Sequence, residues 1–503
     1  MKAFIVPFLI LPAVALAQQP PAQTPPGQTP AGQAQGDQKP QIPGTPPPKA
    51  PNQTPPIMPN VAPIPLPTNI TLPSGPPNEA NRPLTADEAA RLALRVQPSL
   101  RLAEAQVLAA QGRLQIAKSG LLPTLSLSAT YGREIVVSEG LFSFPAASTS
   151  TSAATGGTAA SVNPSTTTGV FAGLGISAIL HQLIFDFNHT RDTVRQADAE
   201  EKAAKQGFTL AQLNLVYAVK QAFYTYVQDE ALVSVQQANV TNTGQELDLA
   251  MAQVKAGTGE PSNLVTAEST YGAASTALSQ AEQTALIARI NLAVAIGVDP
   301  RTPITASDAQ EPAPTNLDPN ALVGLAIKQR PDLLQAIQTL RAAGYELSAA
   351  RTTTAPTVDL TLEGTASGTD QPLSNPGGAL GLSITWEILD GGLTAGTVKT
   401  AQADIVTAKS QLDTATQTVI SDVNQGFVNL KSSEQQVVIG QASEKNAEEG
   451  VRLAEGEYKA GVAIFIQVTT AQSILVQAQT ALVSAQVAVQ QARAQLRRAI
   501  GLL

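Results

Sequence analysis

The sequence predicts an α+β membrane protein, a duplicated chain whose four β-strands contribute to a transmembrane barrel continuous with a long α-helical coiled-coil barrel. Three observations carry this reading. Residues recur at fixed offsets in two halves, four stretches alternate apolar and polar side chains, and the remaining segments hold apolar positions in steps of three and four.

Composition sets the frame. Among 503 residues only 14% are charged and 4% aromatic, low for a set of compact cores, and the bulk is Ala, Gln, Thr and Val, which suits long helices packed through small residues. The net charge of −8 comes with no basic cluster, which argues against a nucleic-acid partner. With no cysteine there is neither a disulfide nor a lipid-anchored Cys at a mature N-terminus. Any membrane attachment must come from the fold.

Residues 1–17 are expected to be a signal peptide. Lys2 precedes an apolar stretch from Phe4 to Leu16, Ala15 and Ala17 occupy the small-residue positions of a cleavage site, and Pro7 and Pro12 weaken the stretch as a spanning helix. A buried N-terminal helix is the rival reading. Residues 18–83 hold 21 of the 37 prolines among Gln, Thr, Gly and Asn, a Pro-rich tail expected to be extended and without a core. Beyond the signal no run of about 18 apolar residues occurs, which excludes a transmembrane helix but not a barrel.

The first structural repeat is expected over 84–300, a linker over 301–317 and the second repeat over 318–503. Pro98, Lys118 and Pro123 recur 233 positions later as Pro331, Arg351 and Pro356. Asp186, Phe223, Lys255, Gly257, Leu292 and Gly297 recur 204 later as Asp390, Phe427, Lys459, Gly461, Leu496 and Gly501. The offset drops by 29 between Pro123 and Asp186, where the low-complexity text SFPAASTSTSAATGG marks a lengthened hairpin tip.

Within each repeat the element order follows from periodicity. Leu125, Leu127, Ala129 and Tyr131, then Leu174, Ile176, Ala178 and Leu180, alternate with small or polar residues. So do Val358, Leu360 and Leu362, then Leu380, Leu382, Ile384, Trp386 and Ile388. Apolar on one face and Ser, Thr or Gly on the other, these four strands fit a lipid-facing barrel wall, with Tyr131 and Trp386 as membrane-interface aromatics. A water-soluble sheet packed on the helices is the alternative. The smallest transmembrane barrels have about 8 strands, so four require oligomerisation to close.

Thr190 to Ala256 is 67 residues, about 100 Å of helix at 1.5 Å per residue. Its sustained seven-residue repeat, as at Val194, Ala197, Ala204, Phe208 and Leu215, implies left-handed supercoiling against neighbours. Two shorter helices, Pro98 to Gly120 and Ser262 to Gly297, stacked end to end nearly match one long one. The second repeat follows the same plan.

Chemistry is sparse. The two histidines, His181 and His189, bracket Asp186 in a spacing that matches no established metal motif, and a polar rim is the better reading. The Gly-rich pieces lack the strand-to-helix context of a phosphate cradle. No enzyme, no catalytic residue, no cofactor and no metal are expected.

The chain from Leu84 to Leu503 resembles the TolC-type outer-membrane efflux proteins. QPSL (97–100) and RPDL (330–333) open short helices, LPTLSL (122–127) and APTVDL (355–360) open hairpins, GLSITWEILDGG (381–392) leads into a long helix and YKAG (458–461) ends it. The resemblance implies a homotrimer with a 12-stranded outer-membrane barrel and a periplasmic α-helical tunnel. It implies an exit duct of a tripartite efflux or type I secretion system, working with a periplasmic adaptor (membrane fusion) protein and an inner-membrane pump of the RND or ABC type. A periplasmic coiled-coil adaptor or scaffold without a pore is the alternative.

The resemblance also places a periplasmic gate at the turns farthest from the membrane, where many members carry Asp and Arg. Position by position, those places here hold Asn263, Ala463, Gln467 and Thr470, while Tyr458 keeps the family residue. A gate held by neutral hydrogen bonds and packing is therefore expected. The two tips, Lys255, Gly257, Thr258 and Gly259 in one repeat and Lys459, Gly461, Val462, Ile464 and Phe465 in the other, are the expected adaptor contacts. The second tip, AGVAIFIQV, is unusual in being apolar: it is either packed in the closed constriction or covered by an adaptor.

Overall fold

The computed structural model describes residues 83–137, 168–307, 310–312, 318–368 and 375–502. The expected signal peptide, the tail through residue 82 and the hairpin insertion within 138–167 lie outside them.

In chain order the elements are α1 (Ala86–Val96), α2 (Pro98–Ser119), β1 (Thr124–Val137), β2 (Thr168–Phe185), α3 (His189–Lys255), α4 (Pro261–Ile296), α5 (Pro319–Gln329), α6 (Pro331–Arg351), β3 (Thr357–Gly368), β4 (Asn375–Thr385), α7 (Leu393–Lys459) and α8 (Phe465–Ile500). The long helices α3 and α7 are both 67 residues, as periodicity indicates. The strand over 380–388 is shorter than expected: β4 stops at Thr385, so Trp386 and Ile388 lie beyond its ladder.

Each half also opens with a short helix that periodicity did not reveal. Thr85 starts α1 with a capping box: its hydroxyl accepts from the Glu88 amide at 3.3 Å, and the Glu88 carboxylate accepts from the Thr85 amide at 3.0 Å. Asp318 starts α5 in a related way, accepting from the Asn320 amide, with Pro319 in the first helical position. Both short helices stop for one reason. The residue before a proline is pushed out of the α region, and Gln97 and Arg330 have ψ of 122° and 123°. QPSL and RPDL are thus breaks between two helices.

The same two residues join stacked helices. Gln97 donates its amide to the carbonyls of Val294 and Ala295 at the end of α4. Arg330 donates to the Ala499 carbonyl at the end of α8 and pairs with Asp332 and Asp422. The start of α2 therefore abuts the end of α4, and α6 abuts α8.

Two apolar clusters hold this junction. In one, Val219, Leu292 and Ile296 are fully buried with Leu92, Phe223 and Ile304; in the other, Val423, Leu496 and Ile500 are buried with Leu322, Val419 and Leu430. Val219, Leu292 and Ile296 stand 204 positions before Val423, Leu496 and Ile500, so the duplication repeats its core as well as its outline.

The segment between the repeats is tied into the first cluster. Leu84 bridges in parallel to Ala306, and the Glu311 side chain is buried among charges. Lys220 contacts it at 2.7 Å and reaches Asp87 at 2.7 Å, Tyr224 donates to it at 3.1 Å, and Arg497 lies at 3.5 Å.

Candidate functional site

The four strands form one antiparallel sheet in the order β1-β2-β3-β4. Register decides its two faces. Leu125 pairs with Leu180, Leu180 with Leu362 and Leu362 with Leu380, one level along, while Val358 pairs with Ile384 and Leu360 with Leu382 on the same face. The opposite face carries Ser128 paired with Ser177, His181 with Thr361, and Asp359 with Ser383. One face is apolar and the other polar. Leu125, Leu127, Leu380, Leu382 and Ile384 are all exposed in the protomer.

Tyr131 pairs with Leu174, which pairs with Gly368. Trp386 follows Thr385, whose partner is Thr357. At ~3.3 Å per residue and a tilt of about 40°, these two levels are roughly 28 Å apart, close to the ~25 Å apolar band of outer-membrane barrels. Both rings are exposed.

Below the strands the duplicated aspartates start the long helices. Asp186 accepts from the Thr190 amide at 2.6 Å, and Asp390 accepts from the Thr394 amide at 2.7 Å and from Gly392 at 2.9 Å. Hydrogen bonds from Thr394 and then Gly392 hold the Asp390 carboxyl down to about 2. The corner needs left-handed backbone, supplied by Gly391 and Gly392 in one repeat and by Phe187 (φ 54°) and Asn188 (φ 70°) in the other. His181, Asp186 and His189 take separate partners: His181 lies 3.4 Å from Asp359, and His189 Nδ1 lies 3.0 Å from the Ala349 carbonyl.

At the far ends the two tips share one backbone and differ in side chains. Thr258 and Gly259 donate to the Gln253 carbonyl, as Val462 and Ala463 donate to that of Glu457. Gly257 and Gly461 have φ of 75° and 74°, the left-handed residue that closes a helix C-terminus, and Asn263 donates its amide to Glu260 as Gln467 does to Ile464. Lys255 and Lys459 stand exposed in the last helical turn, favourable to the helix dipole.

The apolar tip divides in two. Phe465 is 4% exposed, packed with Ala250 and Ala267 and with its ring 5.6 Å from that of Tyr458. Of the two readings of the tip, adaptor contact or inward packing, Phe465 takes the second in the protomer, because it is the first residue of α8 and turns toward α3 and α4. Val462, Ile464 and Ile466 remain 81%, 64% and 53% exposed. The apolar surface of the tip is these three side chains.

The expected gate residues are only partly brought together. Tyr458 donates its hydroxyl to Gln253 Oε1 at 2.9 Å, joining α7 to α3. Thr470 donates to the Ile466 carbonyl within its own helix. Asn263 is half-buried, Gln467 is exposed, and neither side chain bonds another among the described residues. Gln253 was missed by sequence reasoning, since nothing marks one Gln among many.

Three helices meet just above the tips around a cavity of about 280 Å³ lined by Glu246, Leu249, Glu455, Tyr458, Phe465 and Gln472. Gln472 donates its amide to Glu246 Oε1. No helix among the described residues is long and apolar enough to cross a membrane.

Residues 89–298 and 322–502 match the family described as "Outer membrane efflux protein". The outer membrane efflux protein BepC of Brucella suis biovar 1 is 24% identical over 301 residues, 59% of this chain and 65% of that protein. The matched stretch is therefore just under two thirds of that relative. A probable efflux pump outer membrane protein of Pseudomonas putida, TtgC, is 25% identical over 341 residues, 66% of this chain and 68% of its own. Among solved structures, the outer membrane protein VceC of Vibrio cholerae superposes with a TM-score of 0.71 at 19% identity, covering 83% of this chain and 96% of that one. The CmeC outer membrane channel of Campylobacter jejuni gives 0.72 at 17% identity, covering 83% and 85%. These likenesses share the long helices and the four-stranded sheet.

Proposed function

The chain belongs to the outer membrane efflux protein family, and on that premise we propose that three copies form an outer-membrane exit duct with a long periplasmic part. It passes solutes delivered by an inner-membrane pump of the RND or ABC type through a periplasmic adaptor. It performs no covalent chemistry.

The observation that carries this reading is the pair of open edges. Among the described residues β1 and β4 each have a free ladder edge, because the sheet runs β1-β2-β3-β4 without closing. Among the helices, α3 packs on α1, α2, α4, α6 and α8, while α7 packs on α5, α6 and α8 and still keeps apolar side chains exposed. Val406, Val428, Val438 and Ile439 are exposed on α7, as are Leu102, Leu108 and Ile116 on α2 and Val265 on α4. Such surfaces call for a partner. A neighbouring copy that sets its β1, α2 and α4 against this β4 and α7 covers both edges, and three copies give 12 strands.

Residues 1–17 are read as a signal peptide and 18–83 as the Pro-rich tail that follows it. The gate is set at the tips by Tyr458, Asn263, Ala463, Gln467 and Thr470, with neutral contacts in place of an acidic ring. The adaptor contacts the two tips through Lys255, Thr258 and Gly259, and through Lys459, Val462 and Ile464.

Planar-bilayer conductance of the purified protein, with its mass in detergent, tests the reading. A trimeric mass and a discrete conductance are expected; a monomer that passes no current overturns it. A trivalent cation added at the periplasmic side should block weakly, because the gate positions carry no carboxylate. Strong block that survives changes at Asn263, Gln467 and Thr470 would move the gate to another ring.

A further inference from the structure

We propose that Glu246 is a proton-controlled latch: when neutral it holds α3 against α7 and α8 just above the tips, and when ionised it loosens that seam. The inference deepens the channel reading and rests on it for its effect on the pore.

Three features of the cavity carry it. Glu246 stands on α3 at the junction with α7 and α8, nine residues before Lys255 ends the 67-residue helix. Its Oε1 accepts from Gln472 of α8, while its Oε2 is buried without a hydrogen-bond partner among the described residues. A buried carboxylate oxygen without a donor is costly as an anion and much less so in the acid form. The seam is therefore tightest when a proton is present.

The carboxylate that faces it across the cavity acts in the same direction. From α7, Glu455 faces the cavity and Lys459 lies 3.3 Å from Glu455, so the lysine is engaged with the other carboxylate. Tyr458 also lines the cavity and donates elsewhere, to Gln253. From α8 come Gln472, Val468 and Phe465, and from α3 itself Asn242, Gln245 and Leu249, all uncharged. α4 adds no residue to the lining. Burial first, and then the Glu455 charge, push the Glu246 carboxyl up to about 7 against the opposing pull of the Gln472 hydrogen bond.

The sign of the pH effect follows from linkage. A carboxyl raised in the closed arrangement and ordinary once solvated means that the closed seam binds more protons. Its stability is full below about 4.5, falls as pH rises to about 7 and is level above that. The seam thus relaxes toward neutral pH and tightens in acid. The tips lie at the end of α3, so loosening here frees the helices that carry the Tyr458–Gln253 hydrogen bond.

Backbone amide exchange over residues 242–250 and 465–473 of the intact protein reads the latch directly, comparing wild type with Glu246→Gln at matched pH so that intrinsic exchange chemistry cancels. At pH 7.5 the variant, a mimic of the neutral acid, should exchange about tenfold more slowly, the equivalent of one unit of linkage. At pH 4.5 the two should coincide. Glu455→Gln, which removes the facing charge and keeps the Gln472 hydrogen bond, should slow exchange at pH 7.5 in the same direction. Equal exchange at both pH values, or faster exchange in Glu246→Gln at pH 7.5, overturns the latch.

Conductance of the same samples separates the two readings. Reduced current through Glu246→Gln at pH 7.5, alongside slowed exchange, supports both. Slowed exchange in a protein that passes no current in any form keeps the latch and removes the pore.

Discussion

Two aromatic residues hold the second tip, and they do so by different means. Tyr458 contributes one neutral hydrogen bond to Gln253 at 2.9 Å, worth about 1 kcal/mol, so Tyr458→Phe should leave the trimer intact and raise open probability up to about tenfold in single-channel records. Phe465 is an interior side chain, 4% exposed. Truncation to Ala costs about 3 kcal/mol and should lower the thermal midpoint. Val462→Ser and Ile464→Ser, at exposed positions, should leave that midpoint unchanged while weakening efflux through the adaptor. The contrast tells packing from docking within five residues. Gly257 and Gly461 were legible as helix stops because a left-handed residue after a C-terminal lysine has a local signature. The partnership of Tyr458 with Gln253 was not, since it joins residues 205 apart.

At the scale of elements, the paired breaks QPSL and RPDL set stacked helices on one another, and the glycine ending each upper partner is part of that contact. A Cβ on Gly501 would lie 3.2 Å from the Arg330 Cα, and one on Gly297 would lie 3.1 Å from the Gln97 Cα, with φ of 87° and 88°. Gly461 has nothing within 4 Å. Gly461→Ala should therefore cost about 1–2 kcal/mol of backbone strain alone, and Gly501→Ala more, as read by thermal unfolding. The connecting segment holds a second test. Glu311 and Lys220 have side chains 1% and 5% exposed, and breaking a buried pair costs about 3–5 kcal/mol. Asp87 remains beside Lys220 in Glu311→Gln, so the low end of that range is expected. A 301–317 linker read from sequence as a plain connection thus contains one of the most buried charges among the described residues. No local pattern marks such a residue, because its side-chain partners Lys220, Tyr224 and Arg497 come from two other elements, α3 and α8.

For the whole molecule the decisive feature is a sheet with two faces and two edges unpaired among the described residues. Leu382 sits on the apolar face and Ser383 on the polar one. In a barrel, Leu382→Arg places a charge in lipid at about 2–4 kcal/mol near the midplane, and it should reduce the yield of inserted trimer in outer-membrane fractions. Ser383→Arg should insert normally and shift the channel toward anions. Equal insertion of both would mean that neither face meets lipid. The helical body follows the same logic, with apolar side chains on α2, α4 and α7 left exposed in the protomer.

Periodicity, duplication and capping residues determined the element list, the four strands and their faces, and the near-equal helix lengths, because each of these depends on residues a few positions apart or on one constant offset. The short helices α1 and α5 escaped, being only 11 residues each, too brief for period to speak over background. What only the tertiary structure decided are the contacts that close long loops: the burial of Phe465, the Tyr458–Gln253 hydrogen bond, the charges around Glu311 and the cavity at Glu246. These pairings bring together residues dozens to hundreds of positions apart, and which of many similar Gln, Glu and Phe side chains meets which is set by how the helices pack, a property that no single stretch of the chain contains.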